Sequence, residues 1–137
     1  MSLKITLRQN NIKSNKSYKK WFAQPVHNEE IHTADIAERI QKNSSFSKGS
    51  VVGVIDDFIQ EMIISMHDSH TVVIDGLGRF DLTVESEGVD NPQSFRIDRD
   101  IKKVRCRFLP AGKRNIDGRV TSKLSENVEV EWLPENK

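Results

Sequence analysis

The sequence predicts an α+β fold: a helical base on an antiparallel sheet with one long hairpin, extended by an extra N-terminal hairpin and a C-terminal strand. Three observations carry this. Apolar residues recur at Val51, Val54, Ile55, Phe58, Ile59, Met62, Ile63 and Met66, a sustained 3.6-residue period. Asp75-Gly76-Leu77-Gly78 is a tight turn between two strand-like runs, with glycines suited to a positive φ. From Arg79 to Phe108 polar and apolar residues mostly alternate, the signature of paired strands. A length of 137 residues fits one domain.

The elements follow in order. Lys4–Leu7 and Tyr18–Val26 are short β-branched or aromatic runs, separated by the turn formers of residues 10–17. They read as a hairpin with a long, basic loop. Thr33 opens a helix with Ile36, Ala37 and Ile40 on one face; Asp35 and Glu38 suit the positive end of its dipole. Ser47 is a good N-cap for a helix over residues 48–67, and Phe46 can staple onto Val51. Its stripe, widened by Val52, needs more cover than one short helix gives. That points to packing against both its own sheet and a second copy, with a central helix in a monomeric core as the alternative.

Thr71–Asp75 is a strand. In Arg79–Glu85, Phe80, Leu82 and Val84 face one way and Arg79, Asp81, Thr83 and Glu85 the other. Residues 88–94 form a loop or hairpin tip. Phe95–Phe108 is the return strand, marked by Ile97, Ile101, Val104, Cys106 and Phe108; the broken alternation between Ile101 and Val104 predicts a bulge. Pro110–Arg114 is a basic corner, and residues 115–127 are weakly patterned. Val128–Leu133 is a final strand, whose Glu129 and Glu131 are expected beside the basic N-terminal hairpin.

Composition narrows the function classes. The formal net charge is only +1, with 21 Lys+Arg against 20 Asp+Glu, which at first speaks against a nucleic-acid binder. By segment the charges separate: +6 over residues 1–27, −6 over 28–82, −3 over 83–100, +7 over 101–123 and −3 over 124–137. Fields act over a Debye length of about 8–10 Å, so the local balance matters more than the sum. No run of 18 apolar residues exists, and Met1-Ser2-Leu3-Lys4 lacks the apolar stretch of a signal peptide. Cys106 alone permits no internal disulfide, which fits a reducing, cytoplasmic compartment. His27, His32, His67 and His70 make no metal spacing, and Gly76-Leu77-Gly78 lacks the lysine and helix of a phosphate loop. No catalytic residue, metal, cofactor, small-molecule substrate, membrane or enzymatic activity is expected. Lys13, Lys16, Lys19 and Lys20 beside Tyr18, Trp21 and Phe22 are either a base-stacking surface for single strands or ordinary sheet residues.

Four motifs in order carry a family resemblance: TADIAERIQKNSSFSKGSVVGVIDDFIQEMI from Thr33, VVIDGLGRFDL from Val72, DNPQ from Asp90 and FLPAGK from Phe108. Together they resemble the HU/IHF family of bacterial DNA-bending proteins, with Leu77 where the family has Phe. The added terminal strands are similar to those of extended HU-like proteins of the Bacteroidetes type. The resemblance divides residues 1–137 into a hairpin extension (1–32), an HU-like core (33–114) with a β-arm at about 83–100, and a C-terminal extension (115–137). The family's third helix falls on residues 114–127, here a poor helix, and is expected to be short or replaced by a loop.

The resemblance implies a homodimer binding double-stranded DNA in an architectural, nucleoid-associated role with little sequence readout. In the family an arm-tip proline wedges between base pairs; Pro92 holds that position, after Asn91. Here the arm is acidic, with Arg96 and Arg99 its only bases, and the cations lie at its root: Lys102, Lys103, Arg105, Arg107, Lys113 and Arg114. Lys103, Arg105 and Arg107 share one strand face as a phosphate stripe, or pair with acids as a solvated face. The dimer interface is expected at Val51, Ile55, Phe58, Ile59, Met62 and Phe80. The acidic arm also supports a second reading, a protein-interaction or structural module on the same fold with weakened DNA binding.

Overall fold

The computed structural model describes residues 1–118 and 120–134. They form two compact units: Met1–Ile31 with the segment from Ser125 onward, and His32–Leu124.

In the first unit, β1 (Leu3–Gln9) pairs antiparallel with β2 (Trp21–Pro25), with Arg8 opposite Phe22 and Gln9 opposite Trp21. The last strand, β8 (Val130–Trp132), runs parallel to β1 on its other edge. The acid of β8 does lie beside the basic hairpin: Glu131 is directly across from Lys4 and ion-pairs with it. Side chains alternate across a strand. One face therefore carries Leu3, Ile5, Leu7, Trp21 and Trp132, and the other carries Lys4, Arg8, Phe22 and Gln24.

Residues 10–20 close the hairpin as a hydrogen-bonded turn. The Asn10 and Asn15 side chains accept from the Ile12 and Ser17 amides, both at 3.0 Å. The Asn10 amide donates to the Lys20 carbonyl at 2.9 Å, and the Lys19 amide donates back to the Asn10 carbonyl at 2.8 Å. Lys19 takes a positive φ of 62° to make this closure.

In the second unit, α1 (Thr33–Lys42) starts as expected, with the His32 amide donating to Asp35 Oδ2 at 2.9 Å. The longer α2 (Lys48–His67) is capped by Ser47, whose Oγ accepts from the Ser50 amide at 3.1 Å. The helices are tied by the Lys48 amide donating to Gln41 Oε1. Ala37, fully buried, is the only buried apolar residue among those described. On α2, half-buried Val51, Ile55, Met62 and Met66 fall within an arc of about 60° at 100° per residue. The flanks of that arc are open, with Val54 67 % exposed and Phe58, Ile59 and Ile63 also exposed, while Ile64, 60 % exposed, lies on the opposite side of the helix.

The sheet of this unit has the order β3 (Val72–Ile74), β4 (Gly78–Ser86), β5 (Ile101–Pro110), all antiparallel. Gly76 supplies the positive φ of the turn. Gly78 is required for a different reason: a Cβ there would strike the Leu109 carbonyl and the Phe108 ring across the strand pair. The ladder shifts register between Glu85 and Ser86, opposite Lys103 and Ile101, so Lys102 is the extra residue of the bulge.

The strand expected from Phe95 begins only at Ile101. Residues 87–100 instead fold into a 3-10 turn (Pro92–Ser94) and one helical turn, α3 (Ile97–Asp100). Capping outweighs the apolar alternation here, since Asn91 and Asp100 offer side-chain acceptors to nearby amides. After β5, no helix forms among the described residues; β6 (Gly112–Arg114) pairs with β7 (Val120–Ser122) in a two-stranded ladder.

Candidate nucleic-acid interface

The β4–β5 ladder decides where each cation points. Arg107 lies opposite Asp81, Arg105 opposite Thr83 and Lys103 opposite Glu85, so the cationic row of β5 and the acidic row of β4 share one face. The other face carries Phe80 against Phe108, Leu82 against Cys106 and Val84 against Val104. The Phe80 and Phe108 rings stack 4.7 Å apart.

Most of the cations named from the sequence hold a carboxylate. Arg107 grips Asp81 with two bonds, Nε to Oδ1 at 2.9 Å and Nη2 to Oδ2 at 2.6 Å. This fork holds the Asp81 carboxyl below the usual carboxylate range and raises Arg107. Arg105 reaches diagonally to Glu85 at 2.7 Å, and Lys102, at the bulge, to Glu87 at 2.7 Å. Lys103, Lys113 and Arg114 are exposed, and among the described residues they form no ion pair.

The hairpin tip is organised by Asp100, a buried acid that sequence reasoning counted only as a negative charge. It accepts from the Arg96 amide at 2.7 Å and from Arg99 through Nε at 2.7 Å and Nη2 at 2.8 Å. The Arg99 fork, then the Arg96 amide, hold its pKa low; Arg99 is raised in return. Arg99 Nη2 also donates to the Ser94 carbonyl, and the Glu87 amide donates to the Asp100 carbonyl. Arg96 pairs with Asp98. Asn91 caps the turn through Oδ1 to the Gln93 amide at 3.1 Å, leaving Pro92 exposed at its first position. The spacing Arg96-x-x-x-Asp100 was the available signal for this knot, because an acceptor four residues after a free amide closes one helical turn.

The six residues expected at a dimer boundary separate by burial. Phe58 and Ile59 are exposed; Val51, Ile55, Met62 and Phe80 are half-buried within the chain. Among the described residues no helix is long and apolar enough to cross a membrane, and no three His, Cys, Asp or Glu side chains gather as metal ligands.

A family model described as an HU domain fused to wHTH, Ig or a glycine-rich motif matches residues 1–125. The fold is similar to the crystal structure of a putative bacterial DNA binding protein from Bacteroides vulgatus, with a TM-score of 0.61 at 15% sequence identity. That match covers 96% of this chain and 48% of the other, so the chain spans about half the length of that protein. No curated protein matches the chain.

Proposed function

The chain belongs to the HU-HIG family of HU domains, and from that premise we propose that it is a non-enzymatic DNA-binding protein. In this reading a homodimer engages duplex DNA in the cytoplasm, at the nucleoid, in an architectural role with little base readout. The observation that carries it is the cationic face at the hairpin root. Lys103, Arg105 and Arg107 stand on one side of β5, and exposed Lys113 and Arg114 follow on β6. A row of cations two residues apart meets phosphates rather than base edges, which fits affinity without sequence preference. At the tip, exposed Pro92 on a capped turn is the wedge for a base step.

The dimer is supported by α2. Its exposed Val54, Phe58, Ile59 and Ile63 flank the half-buried stripe, and covering the area they leave open would contribute about 25 cal/mol per Å² of apolar surface. Light scattering should return about twice the 15.7 kDa chain mass; a mass of one chain would refute the dimer. For DNA, a gel-shift series at two salt levels is the test. Binding should weaken steeply with salt, and replacing Lys103, Arg105 and Arg107 with Ala should lower the log–log salt slope by roughly 2–3 for every sequence alike. No shift of any duplex by micromolar protein at low salt would sink the reading.

The second reading, an interaction module with weakened DNA binding, draws on the engagement of Arg96, Arg99, Lys102, Arg105 and Arg107 by carboxylates. It requires a protein partner whose capture survives nuclease treatment.

A further inference from the structure

The cations left over by that reading lie in the first unit. Residues 1–27 hold Lys4, Arg8, Lys13, Lys16, Lys19 and Lys20 and no acid. Lys4 is spent on Glu131. Among the described residues the other five form no ion pair, and the turn bearing the four lysines is fixed by the Asn10 and Asn15 side chains and the Asn10–Lys20 closure. The ammonium of Lys19 rests on the Tyr18 ring, 5.6 Å from its centre.

Beside this turn is a cleft of about 520 Å³, lined by Arg8, Asn10, Asn11, Phe22 and Gln24 among others. That is within the roughly 300–1,000 Å³ of clefts that hold small ligands. Phe22 is cross-strand from Arg8 on the same face and remains 49 % exposed. Trp21, its neighbour in the strand, belongs to the opposite face.

The chemistry is specific in kind. An open aromatic face takes an unstacked base, a guanidinium beside it takes a phosphate or a second π-face, and side-chain amides take base edges. Inside a duplex the bases are already stacked and present no face. We propose that this cleft and turn bind single-stranded nucleic acid, with a base on Phe22, Arg8 at the adjoining phosphate and the strand continuing along the lysines of residues 13–20. The site is separate from the β5 cations and does not rest on the duplex reading.

The test is fluorescence anisotropy of labelled oligo(dT) and of a duplex with the full chain at low salt. Phe22→Leu keeps apolar bulk and removes the stacking face; it should weaken oligo(dT) about fivefold or more, whereas Phe22→Tyr should hold affinity within twofold and serves as the folded control. Replacing Lys13, Lys16, Lys19 and Lys20 with Ala should flatten the oligo(dT) salt slope by up to about 3. The Lys103, Arg105 and Arg107 alanine variant should keep oligo(dT) binding. No anisotropy change with oligo(dT), an unchanged affinity in Phe22→Leu, or loss of oligo(dT) binding in the β5 variant would each overturn the proposal. Binding of oligo(dT) without binding of duplex would uphold it and remove the duplex reading instead.

Discussion

The two basic blocks of this protein carry similar charge and use it differently. On the β4–β5 hairpin, Arg105, Arg107 and Lys102 each meet a carboxylate on the facing strand or at its end. In the turn of residues 10–20, four lysines meet none among the described residues. An exposed ion pair such as Lys102–Glu87 contributes only about 0.2–1 kcal/mol, whereas the two-bond Arg107–Asp81 fork, on a carboxylate only 15 % exposed, holds more firmly. Pairing on the hairpin therefore does not remove cations from use; it sets a threshold that a phosphate must exceed. Charge available to a partner is decided by register, not by the charge of the segment.

Several experiments can break or sharpen that contrast. The largest effect is expected from Gly78→Ala, which forces a Cβ into the Leu109 carbonyl and should cost roughly 3 kcal/mol in urea unfolding. It should abolish duplex binding while oligo(dT) binding survives; loss of both would mean that the two regions are not independent. Next, Asp81→Asn with Glu85→Gln frees Arg107 and Arg105. Duplex affinity should rise about fivefold, with a steeper salt slope. Unchanged affinity would show that the pairs impose no threshold.

Acid provides a third comparison. Asp100 and Asp81 have depressed pKa values in the fold, so their stabilisation is complete above the unfolded carboxyl value of about 3.9. It is lost as the pH falls through the lower folded value. Amide resonances of Arg96 and Glu87 should therefore shift or broaden as pH drops below about 4, while those of Ile12 and Ser17, held by asparagines, stay in place. The smallest effect belongs to Lys103→Ala, which removes one free cation and should lower the duplex salt slope by about 1.

Much of this was legible in the chain, for identifiable reasons. The α2 stripe repeats over about four turns, long enough for its period to dominate, and Ser47 fixed its start. The break in alternation near Ile101 marked the bulge, which the ladder assigns to Lys102. The tip was misread because Ile97 and Ile101 mimic strand spacing, while the capping of Arg96 by Asp100 is a side-chain effect that periodicity does not register. The ion pairs were hidden for another reason. Alternation puts Asp81 and Arg107 each on the polar face of its own strand, but which acid meets which base depends on how the strands slide, and only the ladder fixes that.

The parallel pairing of β1 with β8 has a consequence in time. Leu3 precedes the whole of the second unit in the chain and its partner Val130 follows it. Until then β1 and β2 form a bare two-stranded ribbon, marginal by itself in water. The sheet that carries Arg8 and Phe22 thus gains its third strand last, after the ribosome has already delivered the complete helical base. Assembly of this surface waits for β8, so a nascent chain halted before β8 holds its second unit entire and its first unit unfinished.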